Sequence, residues 1–313
     1  MTDRHVLNVS PKTVQWGVWD ASLDPALRVK SGDLVEIHTI SGEPEDLPPG
    51  NVGVAPEQLE VHAKCRRGPG PHFLTGPVWV EGAEPGDALE VRIRAVRLRD
   101  DWGWNLILPL RGTLPEDFPE ARRMHLPIEG RAMTARLPWG KEVPLRPFFG
   151  NFGVAPPARY GAIDSIVPRE HGGNMDNKEL VAGTTVYFPV WNRGALFSAG
   201  DGHAAQGDGE VCLTAIETGL TGTFELIVRK DLRIGFPRAE SPTHYISMGM
   251  NEDLDDAAKQ ALRHMIDWIT ELTPLGRADA YSLCSIAADL RVTQTVDGNK
   301  GIHCMLLKSM LQM

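Results

Sequence analysis

Acid, imidazole and amide groups crowd together in the stretch GALFSAGDGHAAQGDGE, from Gly194 to Glu210. Five glycines alternate there with Asp201, His203, Gln206, Asp208 and Glu210, and no hydrophobic period accounts for the pattern. Asp201 and His203 are two residues apart, so in extended backbone both side chains project to one side and can share a centre. A neutral imidazole with carboxylate oxygens is a ligand set for zinc or another divalent ion. A DxH pair alone is more often part of a hydrogen-bonded loop; Gln206 and Glu210 in the same run favour a site, and its glycine density predicts that the run is a loop.

A second run, His171 to Asp176 (HGGNMD), places two glycines before an amide and a carboxylate. The glycines point to a loop whose backbone approaches something closely. Asn174 and Asp176 again share a side, and could complete a shell begun by Asp201 and His203; the alternative is a polar turn capped by its own side chains. In a third stretch, Pro71 to Asp87, His72 is either a ligand or a structural histidine. Glu81 ends an apolar strand, where partial burial would raise its pKa and suit it to general acid or base work. Glu84 and Asp87 read as parts of a turn. The aromatic pair Phe148 and Phe149, in PFFGNFGVAP, either walls an apolar substrate pocket or belongs to the core.

The elements that must position these groups are mostly strands. A Gly-centred turn followed by alternating apolar residues recurs as SGDLVEIHTI (residues 31–40), as PGDALEVRI (85–93) and, more loosely, as AGTTVYFPVW (182–191). Strands are also predicted at 78–80, 210–218 and 223–228, the last two joined by a hairpin at Gly219 to Gly222. Residues 254–272 show helical spacing at Ala258, Leu262, Met265, Ile266 and Ile269, with Asp255 and Asp256 suited to its N-terminus. A second helix is predicted over 278–290, then a strand over 291–296. The expected fold is α+β, mainly β: a β-sandwich or small-barrel core with Gly-turn strand repeats and helices in the C-terminal third. Residues 1–313 read as one unit, with β-rich parts at about 1–150 and 151–250 and a helical and β part at 251–313.

Composition narrows the function classes. A net charge of −9 over 313 residues, with 23% charged and 42% hydrophobic residues, describes a globular enzyme rather than a nucleic-acid scaffold. Four dispersed cysteines show no CxxC spacing, and no run reaches the ~18 apolar residues of a membrane helix. The start of the chain carries no basic and apolar leader, so the expected compartment is the cytoplasm.

Taken together, TGPVWVEGAEPGD, PFFGNFGVAP, HGGNMD, GALFSAGDGHAAQGDGEV and DLRVTQTVDGNKGIH resemble the acetamidase/formamidase family, in the family's order, from about Thr75 to His303. The tail departs from it, with Leu307 where the family pattern has proline. The aromatic insert Asp101 to Asn105 and the loop Ser41 to Asn51 are particular to a subgroup, and the insert could reshape the pocket. The resemblance implies hydrolysis of a short linear amide to carboxylate and ammonia, a mainly β fold and a homodimer or higher homo-oligomer. No GxSxG elbow and no Ser-Ser-Lys loop is present.

The expected chemistry is therefore a water activated by a divalent metal, zinc first and calcium as the alternative, with no organic cofactor. Asp201, His203, Asp176 and His72 are the candidate ligands. Glu81 or Glu210 would relay the proton, and Gln206 or Asn174 would steady the oxyanion. Rival readings are a hydrolase of an imide or of a urea-like or guanidino compound, and a binding protein with the same pocket.

Overall fold

The computed structural model describes residues 2–312, and two large sheets account for most of them. Alternation of apolar and polar residues makes Asp33–His38 a half-buried strand, with burial switching at every residue. It joins a nine-stranded sheet with Ala88–Leu98 and Thr185–Pro189, so all three copies of the sequence echo lie in one sheet. Each copy enters through a left-handed glycine: Gly32, Gly86 and Gly183 have φ of 93°, 92° and 92°. Asp33 and Asp87 close their turns by accepting hydrogen bonds from the backbone N–H groups of Lys30 and Glu84, each at 2.9 Å.

The second sheet has eleven strands, with Phe197–Ala205 near its middle. It packs against the first through Phe149, Phe152, Phe197 and Phe224, which together with Val35, Ile37, Leu89 and Val91 form the largest core cluster. The expected mainly β fold with helices late in the chain is the fold observed, with one further short helix, Pro56–Lys64, early in it. Helix Leu254–Leu272 starts and stops where its periodicity predicts; Asp253 caps it by accepting from the N–H of Asp256 at 3.0 Å. Helix Arg277–Ala287 ends three residues before the predicted limit, because Ala288 already pairs with Leu306 in strand Ala288–Gln294. Both helices cover the end of the nine-stranded sheet through Ala261, Met265, Ile269 and Cys284. No described helix is long and apolar enough to cross a membrane.

Three local readings need correction. The Gly194 to Glu210 run is not one loop: Phe197–Ala205 is a nine-residue strand. Its glycines answer to crowding, since a Cβ on Gly200 would lie 2.0 Å from the carbonyl oxygen of Phe73 and one on Gly202 would lie 2.4 Å from that of Thr218. Residues 210–218 are mostly irregular, with only Ile216–Glu217 in a strand. Gly219 to Gly222 is no hairpin, because Leu220–Arg229 runs in the other sheet; the chain changes sheets at Gly219, where a Cβ would meet the Asp100 carboxylate at 2.2 Å.

Candidate active site

Strand Phe197–Ala205 carries Asp201 and His203 between three neighbours. Phe148–Gly153 lies on one side, with Phe148 opposite His203. Phe73–Val80 and Ile216–Glu217 pair with its other edge, bringing His72 and Glu217 to the same place. Gly172–Asn174 pairs with the far side of Phe148–Gly153 and delivers Asn174 and Asp176. Two loops close the ring. Gly209 donates to the carbonyl oxygen of Thr293 at 3.1 Å and accepts from the N–H of Thr295 at 3.0 Å, which zips the Glu210 loop to the chain leading to Asp297.

His72, Asn174, Asp176, Asp201, His203 and Glu210, six of the expected residues, therefore line one cavity. Glu217 and Asp297 join them, and neither stands out in the sequence. Glu217 sits in EVCLTAIET, which reads as an ordinary alternating strand; a lone acid beside buried Ile216 was the only signal. Asp297, in TVDGN, is indistinguishable from a turn aspartate.

The Nε2 of His203 is the hub. It lies 3.2 Å from a carboxylate oxygen of Asp201 and 3.2 Å from one of Glu217, with Asp176 at 3.8 Å and Glu210 at 3.9 Å. The far side of the ring is set by Gln206. The Gln206 amide nitrogen donates to the carbonyl oxygen of Asp176 at 2.7 Å, so its Oε1 must face His203 and accept the Nδ1–H at 2.8 Å. With Nδ1 protonated, a neutral His203 aims the Nε2 lone pair into the carboxylates. Phe148 holds the ring edge-on, centroids 5.1 Å apart.

A neutral ring turned this way faces a lone pair into several buried carboxylates; either a proton on Nε2 or a cation among the carboxylates relieves that repulsion. Burial works against a charged His203, yet the Glu217 and Asp201 carboxylates outweigh it and hold the imidazole well above its usual pKa. Burial likewise drives Glu210 and Asp297 well up, each reinforced by Asp176, and pushes Glu217 up to about 7 against the pull of His203. Asp201 goes the other way: the charges of His72 and His203 overcome its burial and lower it. Both oxygens of Asp176 and one each of Glu210, Glu217 and Asp297 are buried without a hydrogen-bond partner. Two triads, Asp176–His203–Glu210 and Asp201–His203–Glu217, each bring one donor atom per residue within 4.8 Å of one another. This donor set and its unsatisfied oxygens fit a divalent cation.

The backbone is bent to make the cluster. Asp176, Asp201 and Glu210 have φ of 48°, 56° and 46°, a left-handed conformation that side chains seldom adopt. Gly150 forms the floor; a Cβ there would lie 2.3 Å from Asp176 Oδ1 and 2.7 Å from both Asp201 Oδ2 and His203 Cε1.

The acetamidase/formamidase family pattern matches residues 11–162 and 157–308. The chain belongs to the acetamidase/formamidase family. Among relatives, it is 30% identical to the formamidase of Methylophilus methylotrophus over 215 residues, 52% of this chain and 51% of that protein. The chain thus spans about half the length of that curated relative. Solved structures cover it more fully. A predicted acetamidase/formamidase from Thermoanaerobacter tengcongensis superposes with a TM-score of 0.87 at 27% identity, over 99% of this chain and 98% of that one. An acetamidase from Bacillus halodurans gives 0.81 at 32% identity, over 96% and 97%.

Within this family fold, four of the expected site residues do not line the cavity. Glu81 is exposed at the end of strand Phe73–Val80 and does not line the cavity, because its N–H is tied outward to the carbonyl oxygen of Val29. Phe149 points into the sandwich, packing on Phe224 with centroids 5.4 Å apart, so it is core and not pocket wall. Phe148 backs His203 and faces a neighbouring cavity. Gln206 stands behind His203, where it orients the ring instead of meeting a substrate. Gln206→Ala is therefore expected to lower cation affinity and kcat/KM together by ~10–100-fold, the usual cost of losing a group that orients a ligand. Competition with a chromophoric chelator, beside the kinetics, checks it; normal affinity with a normal rate would contradict that role.

Proposed function

We propose that this protein hydrolyses the C–N bond of a small linear carboxamide to carboxylate and ammonia, in the cavity around His203. The observation that carries the reading is the hub itself: one imidazole nitrogen, its partner nitrogen committed to Gln206, facing four carboxylates within 3.9 Å. His203, Asp176 and Asp201, with Glu210 or Glu217, would hold a divalent cation, and zinc suits this donor set. Such an ion, when bound, lowers the pKa of a water from ~15.7 towards ~7 and polarises a carbonyl. His72 stands at the fringe, its Nε2 3.9 Å from Asp201 and its Nδ1 2.8 Å from the Ser165 hydroxyl.

The remaining steps fall to the protein. Attack by water forms the new C–O bond and leaves a proton to be moved to the departing nitrogen. With Glu217 completing the ligand set, Glu210, buried among like charges that hold its carboxyl well above the ordinary range, is placed to carry that proton to the nitrogen. The Asn174 amide, buried at the cavity wall with its Oδ1 unpartnered, can turn its NH₂ towards the developing oxyanion. Among the described residues lining this cavity there is no cysteine and no lysine. Burial also raises the pKa of the Cys65, Cys284 and Cys304 thiols, the last to about 12. A water nucleophile is the route these neighbours favour.

The test is elemental analysis of the purified protein beside ammonia release from carboxamides, before and after chelation. The expected result is about one or more equivalents of a divalent metal, activity lost on stripping, and recovery on adding the ion back. Full activity in metal-free protein would remove the cation from this scheme; no ammonia from any carboxamide would remove the hydrolysis.

A further inference from the structure

The cavity is much larger than formamide or acetamide requires. Its volume is about 460 Å³, within the ~300–1,000 Å³ of sites that enclose drug-sized ligands. At ~30 Å³ per water it corresponds to about fifteen waters, whereas acetamide displaces roughly three. The polar cluster fills one buried end, and the rest of the wall has a different character.

Part of that wall is built by two segments distant in sequence. The loop Ser41 to Asn51 and the insert Asp101 to Asn105 meet where the indole N–H of Trp104 donates to the Ser41 hydroxyl at 3.1 Å. Gly42 sits beneath the ring, and a Cβ there would come 3.2 Å from its nitrogen. With its one polar atom satisfied, Trp104 offers the cavity only apolar surface. Ile40, Phe73, Leu106, Leu108, Leu213 and Val296 continue that surface. The charged residues nearby cancel in pairs: Arg67 with Glu43 at 2.7 Å, and Arg123 with Asp46 at 2.9 Å. Arg111 and Glu45, opposite in sign, are exposed at the rim.

We infer that the substrate is a primary carboxamide with a neutral, apolar acyl group of on the order of five to nine carbons, aliphatic or aryl, in preference to formamide or acetamide. The inference rests on the hydrolytic reading above and narrows its substrate. Each methylene drawn from water into such a wall improves transition-state binding about fourfold, so four of them give on the order of 100-fold.

The experiment is kcat/KM by ammonia release for formamide, acetamide, hexanamide, phenylacetamide, succinamate and 6-aminohexanamide, with the protein as purified. Hexanamide and phenylacetamide are expected to exceed acetamide by about 50-fold or more, and the two charged amides to gain nothing over it. A flat or falling series from acetamide to hexanamide overturns the inference while leaving hydrolysis standing. So does a best rate with succinamate or 6-aminohexanamide. Silence from all six amides sinks hydrolysis and this inference together. Leu108→Trp, which narrows the apolar end, is expected to cut the hexanamide-to-acetamide ratio about tenfold; an unchanged ratio in a variant of normal melting temperature also counts against it.

Discussion

His203→Ala is expected to leave a folded protein with no measurable ammonia release and no stoichiometric metal. Four carboxylates reach towards Nε2 within 3.9 Å, so the imidazole is the one nitrogen donor common to both candidate ligand triads. Its loss removes a ligand outright, which costs more than the ~10–100-fold typical of residues that only orient one. The side chain packs against Phe148, so truncation also opens a buried space worth ~2–4 kcal/mol of stability. Metal content, circular dichroism and kinetics on the same sample separate these effects. A folded, metal-free variant that retained more than about one per cent of wild-type turnover would show that the chemistry lies elsewhere.

Gly150→Ala carries almost as large an expected effect by a different route, because it adds one carbon and removes nothing. That carbon would stand 2.3 Å from one carboxylate and 2.7 Å from a second and from the His203 ring. None of these can retreat freely: Asp176 is held through its carbonyl by Gln206, and His203 by Gln206 and Phe148. The strand Phe148–Gly153 is buried at every residue, so it cannot bow outward. Overpacking of this kind costs ~1–3 kcal/mol, which a domain of this size survives. A displacement of ~1 Å within a reacting constellation costs ~100-fold in rate. The variant should therefore melt within a few degrees of wild type yet lose at least ~100-fold in kcat/KM. Wild-type kinetics with intact structure would mean that Gly150 is not the floor of the working site.

Much of this arrangement is legible before any coordinates. The two-residue spacing of Asp201 and His203 predicts that both can reach one centre, and they do lie 3.2 Å apart, although Asp201 gets there through a left-handed backbone (φ 56°) and not a plain extended one. The Gly-Asp turns at 32–33 and 86–87 announce the strands that follow, because a left-handed glycine and a back-bonding aspartate are local requirements. Helix Leu254–Leu272 is equally local, written in its own apolar spacing. Glycine density is where local reasoning misleads. In Phe197–Ala205 the glycines read as a loop, although they are there because neighbouring backbone presses within 2.0–2.4 Å of where a side chain would begin. That pressure comes from residues far away in sequence.

Local chemistry thus follows from the order of residues: which groups can bind a metal, which share a face, where strands turn and helices begin. Burial of Glu217 and Asp297 beside His203, the exposure of Glu81, and the withdrawal of Phe149 into the core depend on which strands pair across long separations. Those pairings are chosen by the packing of two whole sheets, a sum over many weak contacts that no single segment encodes.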